Sequence, residues 1–226
     1  MTIHTTLLII EPKELVRKGI IACLKAHFEN AQFLECTSVK DTETLVQQHT
    51  IDIVLSEIQL NNSNGFELFH HKAFSSLKVI LLTDLVKKEY IITAKHFGAS
   101  GYFSKNISPE LLAENIRRAL TTNMFTSNEW FSVDHKENTA FILRTIELLK
   151  TLSKQEKKAL ELFCRNYNTQ EVSEEMHVQR KSVDNYKNRI AKKMELPTEL
   201  FFRDWIRNQG TFLSLLLKLN ESRKSN

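Results

Sequence analysis

The chain has 226 residues, a formal net charge of +4 and a hydrophobic fraction of 42%. Five Gly and three Pro are too few for long disordered or collagen-like stretches. The apolar run "TFLSLLLKL" contains a lysine and is too short to span a bilayer, so no membrane partner is expected. The N-terminal "MTIHTTLLIIEP" lacks a basic segment before its apolar stretch and is expected to form a first strand, not a signal peptide. The widely spaced Cys23, Cys36 and Cys164 predict buried, reduced thiols and a cytoplasmic protein.

Positive charge is concentrated in the second half of the chain. Residues 1–122 hold equal numbers of basic and acidic side chains, so the excess falls in residues 123–226. Residues 179–194 contain a single acid, Asp184, among basic side chains: Arg180, Lys181, Lys187, Arg189, Lys192 and Lys193. A neutral first half and a locally basic second half indicate two separate roles.

The first half alternates strand and helix patterns. Short apolar runs predict strands at 6–11, 31–38, 52–57, 77–84 and 101–105, and helical spacing predicts helices at 14–28, 41–49, 65–74, 87–98 and 108–122. Asp41 and Ser108 are the expected N-caps of two of these helices, and Gly98 is expected just after the end of another. This order predicts an α/β fold, a doubly wound five-stranded parallel sheet with helices on both faces.

Four polar residues follow four different predicted strands: Glu11, Glu57, Thr83 and Lys105. The carboxyl ends of parallel strands meet at one edge of such a sheet, which is where ligands bind. We therefore expect two carboxylates, a hydroxyl and an ammonium group to converge there.

A linker is predicted at 123–147, with a short connecting helix beginning at residue 140 and reaching residue 151, and the pattern from Leu152 onward is helical throughout. Helices are expected at 153–167, 169–177, 179–196 and 198–221, with Ser153 and Glu156 in capping-box spacing and Thr169 as a cap. Two short helices joined by a tight turn, the second of them basic, are typical of a helix-turn-helix domain that binds double-stranded DNA. The polar residues expected to contact DNA are Arg180, Lys181, Asn185, Lys187, Arg189 and Lys192. Val183, Ile190 and Met194 are expected to face the core; a solvated basic face on a small bundle is the alternative.

Both halves resemble one known family. "LLIIEPKELVRKGI", "DIVLSEIQL", "VILLTD" and "GASGYFSKNISPELLAENIRRAL" follow the receiver pattern, and "LSKQEKKALELF" with "NTQEVSEEMHVQRKSVDNYKNRIAKKMEL" follows the LuxR-type output pattern. The chain is thus similar to a two-component response regulator of the NarL/FixJ class. The resemblance implies a CheY-like receiver at 1–122 and an all-α, LuxR-type helix-turn-helix domain at 148–226. It also implies transcription regulation, homodimerisation and no catalytic residues of an enzyme.

The resemblance assigns site residues by position. Glu57 stands at the phosphoacceptor position, where the family has Asp, and Thr83 and Lys105 are the residues that contact a phosphoryl group. Tyr102 is the aromatic residue that reports the state of the receiver. Glu11 is one member of an acidic pair that holds Mg²⁺, and Pro12 stands at the other position.

These departures change the expected chemistry. Pro12 offers no carboxylate, and the extra methylene of Glu57 moves its carboxylate by about 1.5 Å, one C–C bond. Mg²⁺ needs near-ideal octahedral geometry and in-line transfer is sensitive to such displacements, so we expect weak or no Mg²⁺ binding, no other cofactor, and no ordinary phosphotransfer from a histidine kinase. Two interpretations of Glu57 stay open: a partial mimic of a phosphoryl group that biases the receiver toward an active-like state, or an acid paired with Lys105 in a fixed dimerisation platform.

The helix-turn-helix domain also departs from the family pattern. Asp184 stands where the family usually carries Lys, and Asn188 is a neutral replacement on the same helix, which predicts modest DNA affinity that depends on dimerisation. One alternative function is therefore a receiver-based interaction module with weakened DNA binding. A second is an enzyme that uses Glu11, Glu57 and Lys105 for phosphoryl chemistry, although a Gly-rich phosphate loop is missing from the sequence.

Overall fold

A computed structural model describes residues 5–61, 63–70, 72–128, 135–197 and 199–222. The chain divides into two compact units, Met1–His135 and Lys136–Asn226. Within the described ranges, no helix combines the length and apolar character needed to cross a membrane.

The first unit contains the predicted parallel sheet. Its strands are β1 (Thr6–Ile10), β2 (Gln32–Cys36), β3 (Ile53–Ser56), β6 (Lys78–Thr83) and β7 (Gly101–Ser104), in the spatial order β2-β1-β3-β6-β7. All four pairings are parallel, with Leu8 opposite Val54 and Thr83 opposite Ser104 in register. The strand order reverses beside β1, so the sheet is doubly wound, as predicted. Strands β4 (Gln59–Leu60) and β5 (Ser63–Asn64) form a separate two-stranded antiparallel ladder just after β3.

Helices α1 (Glu14–Lys25), α2 (Val39–Gln48), α3 (Lys88–His96) and α4 (Pro109–Thr121) flank the sheet. Strands β1, β3 and β7 are buried along their whole length, and β6 is buried except at Lys78, because both faces of the sheet are covered. The edge strand β2 is only partly buried, with Gln32 exposed. The aliphatic side chains of the buried strands form the core with Leu24, Phe103 and Ile116. Burial of these strand residues is what fixes the positions of the polar groups that follow them.

Two local predictions for this unit are wrong. The segment 65–74, predicted to be a helix, forms 3₁₀ turns at Gly65–His70 and Lys72–Phe74, with His71 outside the described residues. The helix α2 is capped by Ser38 instead of Asp41: the Ser38 hydroxyl accepts from the Asp41 N–H at 3.3 Å. Gly98, at φ +89°, and Ser108, which accepts from the Leu111 N–H, have their predicted roles at helix ends.

The second unit is helical. It contains α5 (His135–Lys150), α6 (Lys154–Cys164), α7 (Thr169–Glu175), α8 (Arg180–Lys193) and α9 (Glu199–Ser222). The connecting helix predicted at 140–151 corresponds to α5, which begins five residues earlier and groups with this unit, so α5 overlaps the end of the predicted linker, 123–147. Residues 129–134 lie outside the described part of the chain.

The capping of these helices explains where they begin. Ser153 and Glu156 form the predicted capping box of α6. The cap of α7, however, is Asn168 and not Thr169, since the Asn168 side chain accepts from two backbone N–H groups and the Glu171 carboxylate accepts the Asn168 N–H. An Asn with Glu three residues later satisfies more donors than a Thr without one.

Helix α6 packs against α8 and α9, and one contact is the edge-to-face pair of Phe163 and Phe202, with ring centroids 5.4 Å apart. Phe202 and Ile206 are buried, whereas Phe201 is exposed.

The three cysteines are free, but only Cys36 is fully buried as predicted. Cys164 is half-buried, and Cys23 is exposed on α1, which corrects the expectation of three buried thiols. Burial raises the pKa of the Cys36 and Cys164 thiols to about 12, so both are poor nucleophiles at neutral pH.

Candidate functional site

The carboxylate of Glu57 lies at the end of β3 and is buried. Its Oε1 atom accepts hydrogen bonds from the backbone N–H of Ile58 at 2.5 Å and of Gln59 at 3.1 Å. The same atom accepts the Thr83 hydroxyl from the end of β6 at 2.5 Å. Three donors on one oxygen hold the side chain in a single orientation, because each hydrogen bond restricts its rotation.

Lys105 joins the two carboxylates of the site. Its Nζ atom lies 2.5 Å from Oε2 of Glu57 and 2.5 Å from Oε2 of Glu11. Burial lowers the pKa of Lys105, but the hydrogen bonds to Glu11 and Glu57 outweigh it and the pKa is raised. The ammonium group therefore stays charged between the two acids. The side chains of Glu11, Glu57, Thr83 and Lys105 therefore converge at the sheet edge, as predicted.

This arrangement bears on metal binding. Glu11 and Glu57 are the carboxylates that could hold Mg²⁺ here, and Mg²⁺ is usually bound by one or two carboxylates plus waters and phosphate. The Lys105 ammonium occupies the position between them, and the second oxygen of Glu11 accepts the Lys13 N–H at 2.8 Å. Among the described residues, no group of three or more His, Cys, Asp and Glu side chains could hold a metal ion.

A chain of hydrogen bonds connects Glu57 to Tyr102. The Thr83 oxygen that donates to Glu57 also accepts the Leu85 N–H at 3.2 Å, and the Tyr102 hydroxyl donates to the Leu85 carbonyl oxygen. Tyr102 is fully buried in β7. Both backbone polar groups of Leu85, in the loop after β6, are thus hydrogen-bonded, the N–H to Thr83 and the carbonyl oxygen to Tyr102. Thr83 contacts the Glu57 carboxylate, and the Tyr102 ring is buried.

Two residues that support this site were not found from the sequence. Arg17 donates to the Glu11 carbonyl oxygen at 2.6 Å and pairs with Glu35 at 3.1 Å, which holds the end of β1 against α1. Gly65 lies against the backbone of Glu57, where a Cβ atom would overlap the Glu57 carbonyl oxygen. An Arg one helical turn inside α1 has no distinctive pattern in the sequence. A Gly shortly after the polar end of a strand, in contrast, can indicate a close approach of two backbone segments, and Gly65 could have been recognised in this way.

In the second unit, α7 and α8 form a helix-turn-helix. The turn between them is formed by residues 176–179, with His177 in the left-handed region at φ +54°. Val183, Ile190 and Met194 are buried as predicted, which leaves the opposite face of α8 in solvent.

The residues predicted to contact DNA lie on α8. Arg180, Lys181, Asn185, Arg189 and Lys192 are exposed. Lys187 is half-buried, and its Nζ atom lies 3.5 Å from Asp184, which is itself exposed. Asp184 therefore neutralises part of the positive charge on its own helix.

Comparison with known proteins agrees with both units. Residues 7–117 match the response regulator receiver domain, and residues 150–199 match the luxR family of bacterial regulatory proteins. The oxygen regulatory protein NreC of Staphylococcus aureus (strain JH9) is 26% identical over 208 residues, 85% of this chain and 92% of NreC. The transcriptional regulatory protein DesR of Bacillus subtilis (strain 168) is 24% identical over 164 residues, 73% of this chain and 77% of DesR.

Solved structures share the fold. RcsB from Salmonella enterica serovar Typhimurium, bound to a promoter in the presence of phosphomimetic BeF3-, aligns with a TM-score of 0.54 at 16% identity, over 90% of this chain and 98% of RcsB. A structure of two RcsB dimers bound to two parallel DNAs aligns with a TM-score of 0.50 at 16% identity, over 90% of this chain and 98% of that one. LuxR-type response regulators bind DNA and are transcription regulators, not enzymes. With a doubly wound receiver and a LuxR-type helix-turn-helix domain in that order, this chain belongs to the NarL/FixJ family of DNA-binding response regulators.

Proposed function

We propose that this protein is a transcription regulator whose receiver is held in an active-like state by Glu57, independently of phosphorylation. The observation that carries the proposal is the Thr83 hydroxyl at 2.5 Å from Glu57 Oε1. Thr83 and Lys105 are the residues that the family uses to contact a phosphoryl group, and here both contact the Glu57 carboxylate. Tyr102, the aromatic residue at the end of the same chain of contacts, is buried.

The charges of the site support the same proposal. A phosphoryl group carries close to two negative charges at neutral pH, and a Glu carries one. Glu57 and Glu11 together present two carboxylates to Lys105, so the ammonium group has the partners that it would find beside a phosphorylated Asp. Because the Glu57 carboxylate already accepts the Thr83 hydroxyl, neither Mg²⁺ nor a histidine kinase is needed to hold Thr83 inward.

The output side of the proposal is DNA binding by a homodimer. The face of the receiver between Lys87 and Leu120 is the proposed dimer surface, and Arg180, Lys181, Asn185, Lys187, Arg189 and Lys192 of α8 are the proposed DNA contacts. Dimers on DNA are described for RcsB. Two-fold pairing of the output domains would double the number of phosphate contacts, which offsets the weakening by Asp184.

The test compares Glu57→Gln with wild type in oligomeric state and DNA affinity. The amide keeps the shape of the side chain but places no charge beside Lys105. Because a hydrogen bond to a charged group contributes about 1.5–3 kcal/mol, we expect at least about a tenfold loss of affinity and a shift toward monomer. Light scattering measures the oligomeric state, and fluorescence anisotropy measures affinity for a duplex selected from a random pool by the wild-type protein.

Two controls make the result specific. Glu29→Gln removes an exposed acid of the same unit and should change neither readout. Incubation of the wild type with acetyl phosphate and Mg²⁺, followed by mass spectrometry, should give no added phosphoryl group. A phosphoryl group found on Glu57, or a Glu57→Gln protein that dimerises and binds DNA like wild type, would contradict the proposal.

A second candidate function is a receiver-based interaction module with weakened DNA binding. The contact of Asp184 with Lys187 favours it, since it lowers the positive charge of α8. This function predicts that wild-type protein binds the selected duplex no more tightly than unrelated DNA. The same anisotropy measurement therefore distinguishes it from the leading proposal.

A further inference from the structure

A basic groove lies beside the recognition helix in the second unit. It is an open depression of about 910 Å³ between the end of α6, the beginning of α7, α8 and α9. Four cationic side chains line it: Arg180 and Lys187 from α8, and Arg203 and Arg207 from α9. One acid, Asp204, lies among them. Nothing in the sequence singled out the two arginines of α9.

The groove has more positive charge than its own acids neutralise. Arg207 pairs with Asp204 at 2.7 Å, and Lys187 pairs with Asp184 at 3.5 Å. Arg180 and Arg203 are exposed, and the described part of the chain provides no ion pair for either of them. Two unpaired guanidinium groups on one open surface indicate a binding site for an anion, because Arg suits planar, bidentate recognition of phosphate.

The position of the groove favours one kind of anion. In a helix-turn-helix complex the second helix lies in the major groove, and the first helix crosses the DNA backbone. The basic groove runs from the first residues of α7 to the first turn of α8, and that docking geometry would bring the DNA backbone along this side. Arg180 and Lys187 also belong to the proposed DNA-contacting set, so the same surface continues from α8 onto α9.

We propose that Arg203 and Arg207 of α9 bind the phosphate backbone of DNA and extend the interface beyond the helix-turn-helix. This inference rests on DNA binding by α8. On this inference, two further phosphate contacts on α9 compensate for the positive charge of α8 that Asp184 neutralises.

The test uses the full chain and measures DNA affinity against KCl concentration. Arg203→Ala and Arg207→Ala should each lower the salt slope by about one unit, and the double variant by about two. The loss should be similar on the selected duplex and on an unrelated duplex, because phosphate contacts carry no sequence information. Lys158→Ala, an exposed lysine on α6 outside the groove, is the matched control and should leave the slope unchanged.

A second variant tests the same groove in the opposite direction. Asp204→Asn frees Arg207 from its acidic partner and should tighten DNA binding at low salt. Both residues are exposed, so the fold should be retained, and circular dichroism checks this.

The outcomes are separable. If Arg180→Ala lowers the slope but the α9 double variant does not, the inference about α9 is wrong while DNA binding by α8 stands. If the wild type shows no salt-sensitive binding at all, the proposed function fails instead. If the double variant binds DNA like wild type but loses affinity for adenosine triphosphate, the groove is a site for small anions and the inference is likewise overturned.

Discussion

The hydroxyl of Thr83 lies 2.5 Å from Oε1 of Glu57, so a hydrogen bond joins the ends of two adjacent strands of the sheet. Both residues are buried, and the hydroxyl is the only side-chain donor to that oxygen among the described residues. The position of the loop after β6 therefore depends on the chemistry of one carboxylate.

Replacing Thr83 with Val should destabilise the receiver by about 1.5–3 kcal/mol, because a buried, charged acceptor loses a donor without a change of shape. Urea unfolding followed by circular dichroism measures the change. Thr93→Val is the matched control, since Thr93 is also fully buried and donates only to the Glu89 carbonyl oxygen within α3. A smaller effect of about 0.5–1.5 kcal/mol is expected there. Equal losses of unfolding free energy at both positions would contradict a stronger hydrogen bond from Thr83 to a charged acceptor.

Replacing Lys105 with Met should be more damaging. It leaves Glu11 and Glu57 buried without their cation, and removal of one partner from a buried ion pair costs about 3–5 kcal/mol. Since the pKa of Lys105 is raised above 10.5, the native pairing stabilises the fold below that pH and is lost only as the pH rises through the folded value. Urea unfolding at neutral pH measures the loss.

Combining Lys105→Met with Glu57→Gln should recover part of that stability, because one of the two unpaired charges is removed. Lys40→Met, an exposed lysine on α2, is the control and should change stability by no more than about 0.5 kcal/mol. A double variant less stable than Lys105→Met alone would contradict the arrangement of the three charges.

Two glycines of the first unit should respond in opposite ways to alanine. Gly65→Ala places a Cβ atom into the Glu57 carbonyl oxygen and should destabilise by about 1–3 kcal/mol. Gly19 lies within α1, and a methyl group added there would meet no atom within 4 Å, so Gly19→Ala should stabilise by about 0.5–1 kcal/mol. Thermal unfolding of both variants measures the difference, and a neutral Gly65→Ala would show that the loop after β3 adjusts freely.

Glu156 should make the second unit sensitive to acid. Burial raises the pKa of this carboxyl, but the Lys193 ammonium at 2.6 Å and the Ser153 N–H outweigh burial, so the pKa is lowered from 4.5. A lowered pKa gives stability that is present above pH 4.5 and is lost as the pH falls through the folded value. Glu156→Gln should therefore cost about 1–3 kcal/mol at neutral pH and flatten the acid side of the stability profile.

The control for that profile is Glu175→Gln, an exposed acid at the end of α7. It should leave the acid side of the curve as in wild type. Thermal unfolding across the acidic range distinguishes the two variants, and identical curves for both would mean that Lys193 does not stabilise the charged form of Glu156.

The sequence predicted the site correctly where the position of a polar residue follows directly from the spacing of the apolar residues before it. Burial of β1, β3, β6 and β7 places the polar residue at or just after the end of each of them at the sheet edge, so Glu11, Glu57, Thr83 and Lys105 could be placed together in advance. The pairing of Glu57 with Lys105 was also among the interpretations of the sequence. The second contact of Lys105, with Glu11, was not predicted, because it depends on side-chain length and on Pro12 leaving the neighbouring position without an acid.

Local errors have local causes. The segment 65–74 has a helical spacing of apolar residues, but the close approach of Gly65 to Glu57 and the short ladder before it allow only 3₁₀ turns. The caps of α2 and α7 were each misplaced because two nearby polar residues compete, and the winner is the one with a reciprocal partner three residues on. Arg203 and Arg207 were missed because two arginines on a long helix are common in sequences. Only the packing of α8 beside α9 shows that they share a groove with Arg180 and Lys187.

The contact between Glu57 and Lys105 also bears on how long the proposed active-like state lasts. A phosphoryl group on a carboxylate is lost by hydrolysis, so a phosphorylated receiver has a built-in half-life. A glutamate side chain is attached through carbon–carbon bonds and does not decay. On the proposed function, the duration of this protein's output is set by its synthesis and its degradation, and the cell would adjust the response through the number of molecules present.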